Sequence, residues 1–357
     1  MASEQMDSEI VALARSTMPW LSSVGSPVVI SSMVRLVRDL VDERFPRWAT
    51  NEQQLNTRER VHGALADMSP SFRHWRMESL SRNERALFSE RRIAGRDFAK
   101  TAELAEIAVL DGQTLAFRIN DGDHLKISCI LPGLDLLAAY EHADSADNAI
   151  SKRLEFAFDD KKGFLTSDPS DMGTGLRASA LLFLPALSAA EKIGQITHAI
   201  QQLGCAVAGF SGVGSGFDGC IFQIYNRITL GESEETILRR MIGVVETIVE
   251  QELAARNELE NALINLVPDR MARVVAMLCS ARVVPLQEGL GLLGQARLAA
   301  CLGYIDGQFI GAVDELMTAI LPTHLQLRHG EWVKEAQQNS IRAEILRQAF
   351  AKVQMLR

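Results

Sequence analysis

Three arginines are the residues of this chain whose type and spacing most clearly suggest chemistry. Arg35 and Arg38 stand three residues apart in VVISSMVRLVRDL (28–40), and Arg177 stands in GTGLRAS. The planar donors of a guanidinium match the oxygens of a phosphate group, so a cluster of these side chains would bind phosphate. Ordinary surface arginines are the alternative, and the spacing alone does not decide between the two.

Two further segments carry residue types found in functional sites. Residues 214–219 read GSGFDG, formally the GxGxxG pattern, but a strand-like run follows where a dinucleotide site requires a helix. We therefore interpret the glycine-rich stretch as a loop between two strands. His124, in the turn NDGDH (120–124), could be a base or a ligand. Because no second histidine or carboxylate cluster stands at metal-ligand spacing, we expect a turn histidine and no metal site.

The elements that must position these residues are strands in the middle of the chain and helices towards its end. Turn residues between two strand-like runs predict a hairpin around 120–124. Ser233, followed by Glu234 and Glu235, predicts the start of a long amphipathic helix. The predicted strands cover 114–119, 125–131, 205–209 and 220–225, and the predicted helices cover 133–157, 177–200 and most of the chain after 234.

The composition is that of a soluble globular protein. Of the 357 residues, 47% are hydrophobic and 23% are charged, which is enough for a sizeable core in one or two domains. The net charge of −8 argues against nucleic acid and anionic membrane as partners. Five cysteines without a CxxC pair favour a reducing compartment. With no signal-peptide pattern and no apolar run of about 20 residues, we expect a cytoplasmic protein.

Several segments, in order, resemble the ATP:guanido phosphotransferases, and specifically their bacterial protein-arginine kinase branch. The resemblance covers nearly the whole chain. It implies an α+β fold in which a mostly antiparallel sheet is flanked by helices and followed by a helical domain. The segments are VVISSMVRLVRD (28–39), FRINDGDHLKIS (117–128), LEFAFDDKKGFLTSDPSDMGTGLRAS (154–179), GCIFQIYNRITLGESEE (219–235), LPTHLQLRHG (321–330) and IRAEILRQAF (341–350).

The resemblance also implies a division of the chain. Residues 1–27 would form an N-terminal helical segment, and 28–255 would form the phosphotransferase-like catalytic domain. Residues 256–357 would form a helical domain of the kind that dimerises and senses phosphoarginine. The implied partners are therefore a second copy of the chain, and an arginine-containing protein or a kinase or adaptor protein.

In this family a phosphoryl group moves from ATP to a guanidinium nitrogen. Arginines hold the phosphates, magnesium bridges them, and glutamates orient the guanidinium and accept its proton. ATP with magnesium is thus the implied ligand, if nucleotide binding is retained. The positions that the resemblance assigns to nucleotide binding are Ser31, Ser32, Arg35, Arg38, Lys126, Arg177, Ala178 and Ser179.

The chain departs from the family pattern at most of the working positions. Gly122 and Val213 stand where the family has its catalytic glutamates, and Lys126 replaces an arginine. Met33 and Ala208 occupy the places of two phosphate-binding arginines. The family's SCPTNVGTG becomes SDPSDMGTG, which puts Asp168 at the active-site cysteine. General base catalysis alone contributes about 10²–10⁴ in rate. We therefore expect an inactive or severely impaired kinase that acts as a regulatory or binding module.

Two alternatives remain open. An active protein-arginine kinase would use Asp121 or Asp123 as the base, Lys126 for phosphate charge and Asp168 as a guanidinium anchor. A nucleotide sensor would bind ATP or ADP without turnover.

The helical domain poses a similar choice. The family's phosphoarginine-sensing motif RDxxRA becomes QNSIRA (338–343), in which Gln338 and Asn339 replace the arginine and the aspartate. Arg342 is therefore either part of a weakened sensing site or a plain arginine on a helix surface.

Overall fold

The structure is a computed structural model that describes residues 6–21, 26–68, 72–95, 97–98, 104–110, 112–209, 218–262 and 266–356. Its strands are β1 Val29–Arg38, β2 Phe72–Arg76, β3 Glu106–Leu110, β4 Leu115–Asp121, β5 Asp123–Pro132, β6 Phe158–Asp159, β7 Gly163–Phe164, β8 Leu176–Phe183, β9 Cys205–Gly209 and β10 Ile221–Asn226. Its helices are α1 Ser8–Arg15, α2 Asn51–Met68, α3 Arg82–Glu90, α4 Leu136–Ser151, α5 Pro185–Ala189, α6 Ile193–Gln202, α7 Glu234–Ala262, α8 Leu266–Ser280, α9 Leu286–Cys301, α10 Phe309–Ala319, α11 Pro322–His329 and α12 Glu335–Phe350.

An eight-stranded sheet in the order β2-β3-β4-β5-β1-β8-β10-β9 forms the centre of the fold. Every strand pair in it is antiparallel. The predicted hairpin is confirmed: Asp121 and Asp123 face each other across Gly122, whose φ of 76° lies in the region that glycine adopts without strain. The expected α+β fold with a mostly antiparallel sheet and a C-terminal helical region is therefore confirmed.

The predicted helix over 177–200 is partly wrong. Its first third is β8, a central strand, and only the remainder forms α5 and α6. LRASALLF is buried along almost its whole length, so it lacks the alternation that marks a half-exposed strand. The helix predicted to begin after Ser233 is confirmed, since α7 begins at Glu234. The Ser233 hydroxyl caps it by accepting a hydrogen bond from the Thr236 amide at 3.2 Å. The proposed boundary near 255 falls within α7, which continues to Ala262.

The two faces of the sheet are covered differently. Helices α2, α4, α6 and α7 bury one face, where Val34, Leu36 and Phe117 belong to the largest apolar cluster. We call this the helix-covered face. On the opposite face, a second cluster joins sheet residues such as Ile130 and Leu181 to helices α8, α9, α10 and α12. A third cluster covers β2 and β3 with α1 and α3. Some polar side chains of β1, β4, β5 and β8 also lie on this opposite face. Within the described residues, no helix has both the length and the apolar character required to cross a membrane.

Candidate functional site

Four basic side chains from four strands share the face of the sheet opposite the helix-covered face. Arg35 in β1 faces Arg177 in β8, and Arg118 in β4 faces Lys126 in β5. Lys126 also faces Val37, two residues after Arg35. Directly opposed residues point to the same side of a sheet, as do residues two apart. We call Arg35, Arg118, Lys126 and Arg177 the cationic cluster.

Asp171 links the two arginines at one end of the cluster. Its carboxylate lies 3.2 Å from Nη2 of Arg35 and accepts a short hydrogen bond from Nη2 of Arg177. Arg177 also donates from Nη1 to the backbone oxygen of Asn226 at 2.8 Å. Burial lowers the pKa of Arg35, the charge of Asp171 acts in the opposite direction, and the nearby charges of Arg118 and Arg177 add to the lowering. Two guanidinium groups therefore depend on one buried carboxylate.

Two more aspartates neutralise the other end. Nη1 of Arg118 lies 2.5 Å from Oδ2 of Asp121. Nζ of Lys126 lies 3.2 Å from Asp123 and 3.6 Å from Asp121. The four cations of the cluster thus contact three carboxylates that belong to the same chain.

Asp123 is held in a state that makes it a weak proton acceptor. It is 1% exposed, and its Oδ1 accepts a hydrogen bond from the Ser167 amide at 2.7 Å. Burial acts to raise the pKa of Asp123, but the Lys126 charge and the bonds from Ser167 outweigh it and lower the pKa below its usual value. The neighbouring Asp39 is different, because burial raises its pKa to about 6. A paired carboxylate with a lowered pKa has little affinity for a substrate proton.

Gly122 lies beside the cluster, at the place of a family glutamate. It is exposed, and a Cβ added there would lie 3.6 Å from Nζ of Lys126 and 3.9 Å from Oγ of Ser167. A side chain at 122 would therefore reach the cationic cluster. Asp168 is exposed, and its Oδ1 accepts a bond from the Ser170 amide at 2.9 Å, within its own turn. Val213 lies outside the described residues.

The structure does not bring Arg38 together with Arg35. Arg38 points to the helix-covered face and is only 3% exposed, so the surface-arginine alternative is wrong for it. Its Nε and Nη2 donate to Oδ2 of Asp147 at 3.0 and 2.8 Å, and its guanidinium lies 3.5 Å from the centre of the Phe164 ring. These contacts occupy the guanidinium with groups of the chain itself.

Ser32 and Ala178 also lie on the helix-covered face. The Ser32 hydroxyl donates to the backbone oxygen of Gly133 at 2.7 Å and accepts from the Asp135 amide at 2.9 Å, which fixes the start of α4. The Ala178 amide donates to Oδ1 of Asn226 at 2.7 Å. These contacts tie the sheet to its neighbouring elements.

Ser179 and Ser31 share the face of the cluster but are buried beside it. Ser179 faces Met33 across the β1–β8 pair. Met33, at the place of a family arginine, packs against the apolar cluster formed with the C-terminal helices. Oγ of Ser31 is buried with no hydrogen-bond partner among the described residues. Ala208 lies in β9 opposite Gln223, at the far edge of the sheet.

Two residues of the site were not predicted from the sequence. Arg118 could have been found from the hairpin, because it and Lys126 are equidistant from the turn at Gly122 and must therefore pair. Asp171 gave no local signal, since it stands in an irregular loop and meets Arg35 from 136 residues away.

Two other expectations need correction. His124, expected to be a turn residue, lies at the start of β5 and is buried: its Nδ1 accepts from the Leu40 amide at 3.0 Å and its Nε2 donates to the Arg44 oxygen at 2.9 Å. Arg342 is 1% exposed, so the helix-surface alternative is wrong. It donates to the backbone oxygens of Ile320 and Val284 and to Oδ1 of Asn339.

Comparison with solved structures places the fold among guanidino kinases. Lombricine kinase matches with a TM-score of 0.57 and 21% identity, covering 71% of this chain and 72% of that one. The substrate-free duplicated taurocyamine kinase from Schistosoma mansoni matches with a TM-score of 0.55 and 22% identity, covering 71% of this chain and 36% of that one. At this level of identity the likeness concerns the fold.

Sequence comparison gives a closer relationship. Residues 56–255 match the ATP:guanido phosphotransferase C-terminal catalytic domain, and residues 265–357 match the protein-arginine kinase McsB C-terminal domain. A protein-arginine kinase of Syntrophomonas wolfei is 35% identical over 345 residues, covering 94% of this chain and 96% of that protein. One from Halalkalibacterium halodurans is 34% identical over 340 residues with the same coverage. The chain therefore belongs to the ATP:guanido phosphotransferases and, within them, to the protein-arginine kinase family.

Proposed function

We propose that this chain is a protein-arginine kinase homologue in which phosphoryl transfer is absent or severely impaired, and that it acts as a regulatory or binding module. The observation that supports this most is the state of the cationic cluster. Each of its four cations contacts an aspartate of the same chain, while the positions of both family glutamates carry Gly122 and Val213.

Phosphate binding at the cluster has to displace internal ion pairs. A nucleotide phosphate that reaches Arg35 and Arg177 competes with Asp171, which already holds both guanidinium groups. Catalysis of phosphoryl transfer depends on donors that are free to stabilise the transferring group. A site whose arginines are neutralised from within therefore favours weak binding over efficient transfer.

The residues beside the cationic cluster are also poorly suited to accept the proton of a substrate guanidinium. Gly122 offers no carboxylate, and the adjacent Asp123 is buried, paired with Lys126 and lowered in pKa. Asp121 is paired with Arg118 and lies 3.6 Å from Lys126. Loss of a general base typically reduces the rate by about 10²–10⁴. This arrangement favours the impaired kinase over the active alternative.

The cluster nevertheless retains capacity for an anion. Nε of Arg35 and Nε of Arg118 are buried with no hydrogen-bond partner among the described residues. Unpaired buried donors are costly, so an additional acceptor at this place would be stabilising. We propose that ATP with magnesium, or ADP, binds here weakly and without turnover.

The test is phosphoryl transfer from γ-labelled ATP with magnesium to free arginine and to an unfolded arginine-rich protein. Acid-labile label on arginine is the readout. We expect incorporation at background level from folded protein. The informative pair of variants is Arg177→Ala in the cluster and Arg239→Ala on α7, whose side chain is 76% exposed and pairs with Glu235. Incorporation at a catalytic rate that Arg177→Ala abolishes and Arg239→Ala preserves would establish an active kinase instead.

We also propose that the chain forms a homodimer and engages an arginine-containing protein or a kinase or adaptor partner, as the family membership suggests. Light scattering coupled to size-exclusion chromatography measures the mass in solution. A monomeric mass at micromolar concentration would contradict the homodimer.

A further inference from the structure

Two histidines and a glutamate from three different elements converge at the β2 edge of the sheet. Nδ1 of His62 in α2 lies 2.8 Å from Oε1 of Glu106 in β3. Nδ1 of His74 in β2 lies 2.7 Å from the same oxygen, and the two imidazole rings are 4.3 Å apart. All three ligand atoms lie within 4.8 Å of one another. We call these three residues the His–Glu cluster.

The His–Glu cluster is separate from the cationic cluster. Glu106 faces Ile119, which belongs to the core of the helix-covered face, whereas Arg118 faces Ile107. Successive residues of a strand point to opposite sides, so the sheet lies between the two clusters. The His–Glu cluster therefore does not belong to the phosphotransferase site.

Hydrogen bonding alone leaves this cluster unsatisfied. Both imidazoles would have to donate from Nδ1 to a single oxygen of Glu106, whose side chain is fully buried. The other oxygen, Oε2, is buried with no hydrogen-bond partner among the described residues. Nε of Arg76 lies 3.6 Å from Oε2, close enough for attraction but too far for a hydrogen bond. A cation held by Oε1 and both Nδ1 atoms would compensate the buried negative charge of Glu106, whose Oε2 has no hydrogen-bond partner among the described residues.

The donor set fits a particular class of cation. Two histidines and one carboxylate bind Zn²⁺ with a fourth position left for water, and imidazole also suits other divalent transition metals. Bonds of about 2.0–2.1 Å to a tetrahedral metal place ligand atoms about 3.3 Å apart. The nitrogen–oxygen distances of 2.7 and 2.8 Å would have to widen by about half an ångström. The side chains of His62 and His74 are 34% and 22% exposed, which gives the ion a route from solvent.

We propose that His62, His74 and Glu106 bind one divalent transition-metal ion of the Zn²⁺ class. The ion takes the place of the Nδ1 proton on each imidazole, the neutral ring then carrying its proton on Nε2, and it links α2 to the β2–β3 edge of the sheet. Such a link stabilises the folded chain in proportion to metal binding. This inference does not depend on the proposed function of the cationic cluster.

The experiment uses the full chain after treatment with a chelator and dialysis. Zn²⁺ is added, the excess is removed by gel filtration, and the metal bound per chain is measured by inductively coupled plasma mass spectrometry. We expect one equivalent and a rise in melting temperature with Zn²⁺. His62→Ala and His74→Gln should lose both, whereas His142→Ala, at an exposed histidine of α4, should keep both.

Co²⁺ identifies the ligands and guards against binding at cysteine. Cobalt bound by imidazole and carboxylate gives visible bands without the strong near-ultraviolet charge transfer of thiolate ligands. We expect such a spectrum from the wild type and its loss in His74→Gln, provided that the metal-free variant unfolds at the same temperature as the wild type. Failure of the folded wild type to retain metal, or equal retention in His74→Gln, overturns the proposal. If His74→Gln does not fold, His62→Ala serves as the same test.

Discussion

Replacing Asp171 with asparagine tests whether the charge of Asp171 is what weakens phosphate binding at the cationic cluster. The alternative is that the cluster does not bind phosphate even without that charge. In the family motif SCPTNVGTG the corresponding position is asparagine, so the substitution restores the family residue. Asparagine keeps an oxygen that accepts from Arg35 or Arg177 but removes the negative charge between them. Both guanidinium groups then become available to an anion.

The expected gain follows from the charge that is removed. Two unit charges about 5 Å apart interact by about 3 kcal/mol at an effective dielectric constant of about 20. That energy corresponds to roughly 100-fold in a dissociation constant. The Arg35 side chain is 24% exposed, so salt screens part of this interaction. We therefore expect Asp171→Asn to bind ADP or ATP with magnesium about 10- to 100-fold more tightly than the wild type, with the larger gain at low salt.

Titration calorimetry at two salt concentrations measures this change. Asp168→Asn is the matched control, because Asp168 stands in the same loop but is exposed, and its Oδ1 accepts from the Ser170 amide within its own turn. Asp171→Asn should also lower the free energy of unfolding by about 1–3 kcal/mol, since it weakens charged hydrogen bonds to two arginines. Unchanged or weaker nucleotide binding in a folded Asp171→Asn protein, or an equal gain in Asp168→Asn, would refute the reasoning.

Three further predictions concern neighbouring residues. Arg38→Ala should lower the free energy of unfolding in urea by about 3–5 kcal/mol, because it leaves Asp147 buried and unpaired; a loss below 1 kcal/mol would contradict this. Gly122→Glu alone should leave label transfer at background, because Met33 and Val213 are unchanged, and catalytic transfer would contradict it. Burial raises the pKa of Asp39 to about 6, so the stability it contributes is present at low pH and is lost as pH rises through about 6. Unfolding measured from pH 4 to 7 should show this loss in the wild type and not in Asp39→Asn, and identical profiles would contradict it.

The hairpin shows what the sequence can specify about this site. NDGDH identified the turn, and the turn fixes the register in which Arg118 meets Lys126. The spacing of two arginines in β1 was misleading, because the helical period does not apply to a strand. Arg35 and Arg38 are three residues apart, which brings side chains together on a helix but sends them to opposite faces of a strand. Once 29–38 is a strand, the two arginines cannot belong to one site.

Contacts between distant segments could not be predicted from local patterns. Asp171 reaches Arg35 across 136 residues, and the His–Glu cluster draws its members from positions 62, 74 and 106. Neither set shows regular spacing, because the sheet order that brings these residues together is not encoded in any single segment. The buried strand β8 was mistaken for a helix for a related reason, since burial on both faces erases the alternation of a strand.

The retained arginines of this chain have structural roles that account for their presence. Arg38 closes a buried pair with Asp147, and Arg177 joins Asp171 to the backbone of Asn226. Their survival in the family motifs is therefore not by itself a sign of nucleotide binding. Two features support the proposed loss of phosphoryl transfer: Gly122 and Val213 stand where the family pattern has glutamates, and Asp171 already pairs with both Arg35 and Arg177. Both features favour the proposed binding module over the alternative of an active kinase.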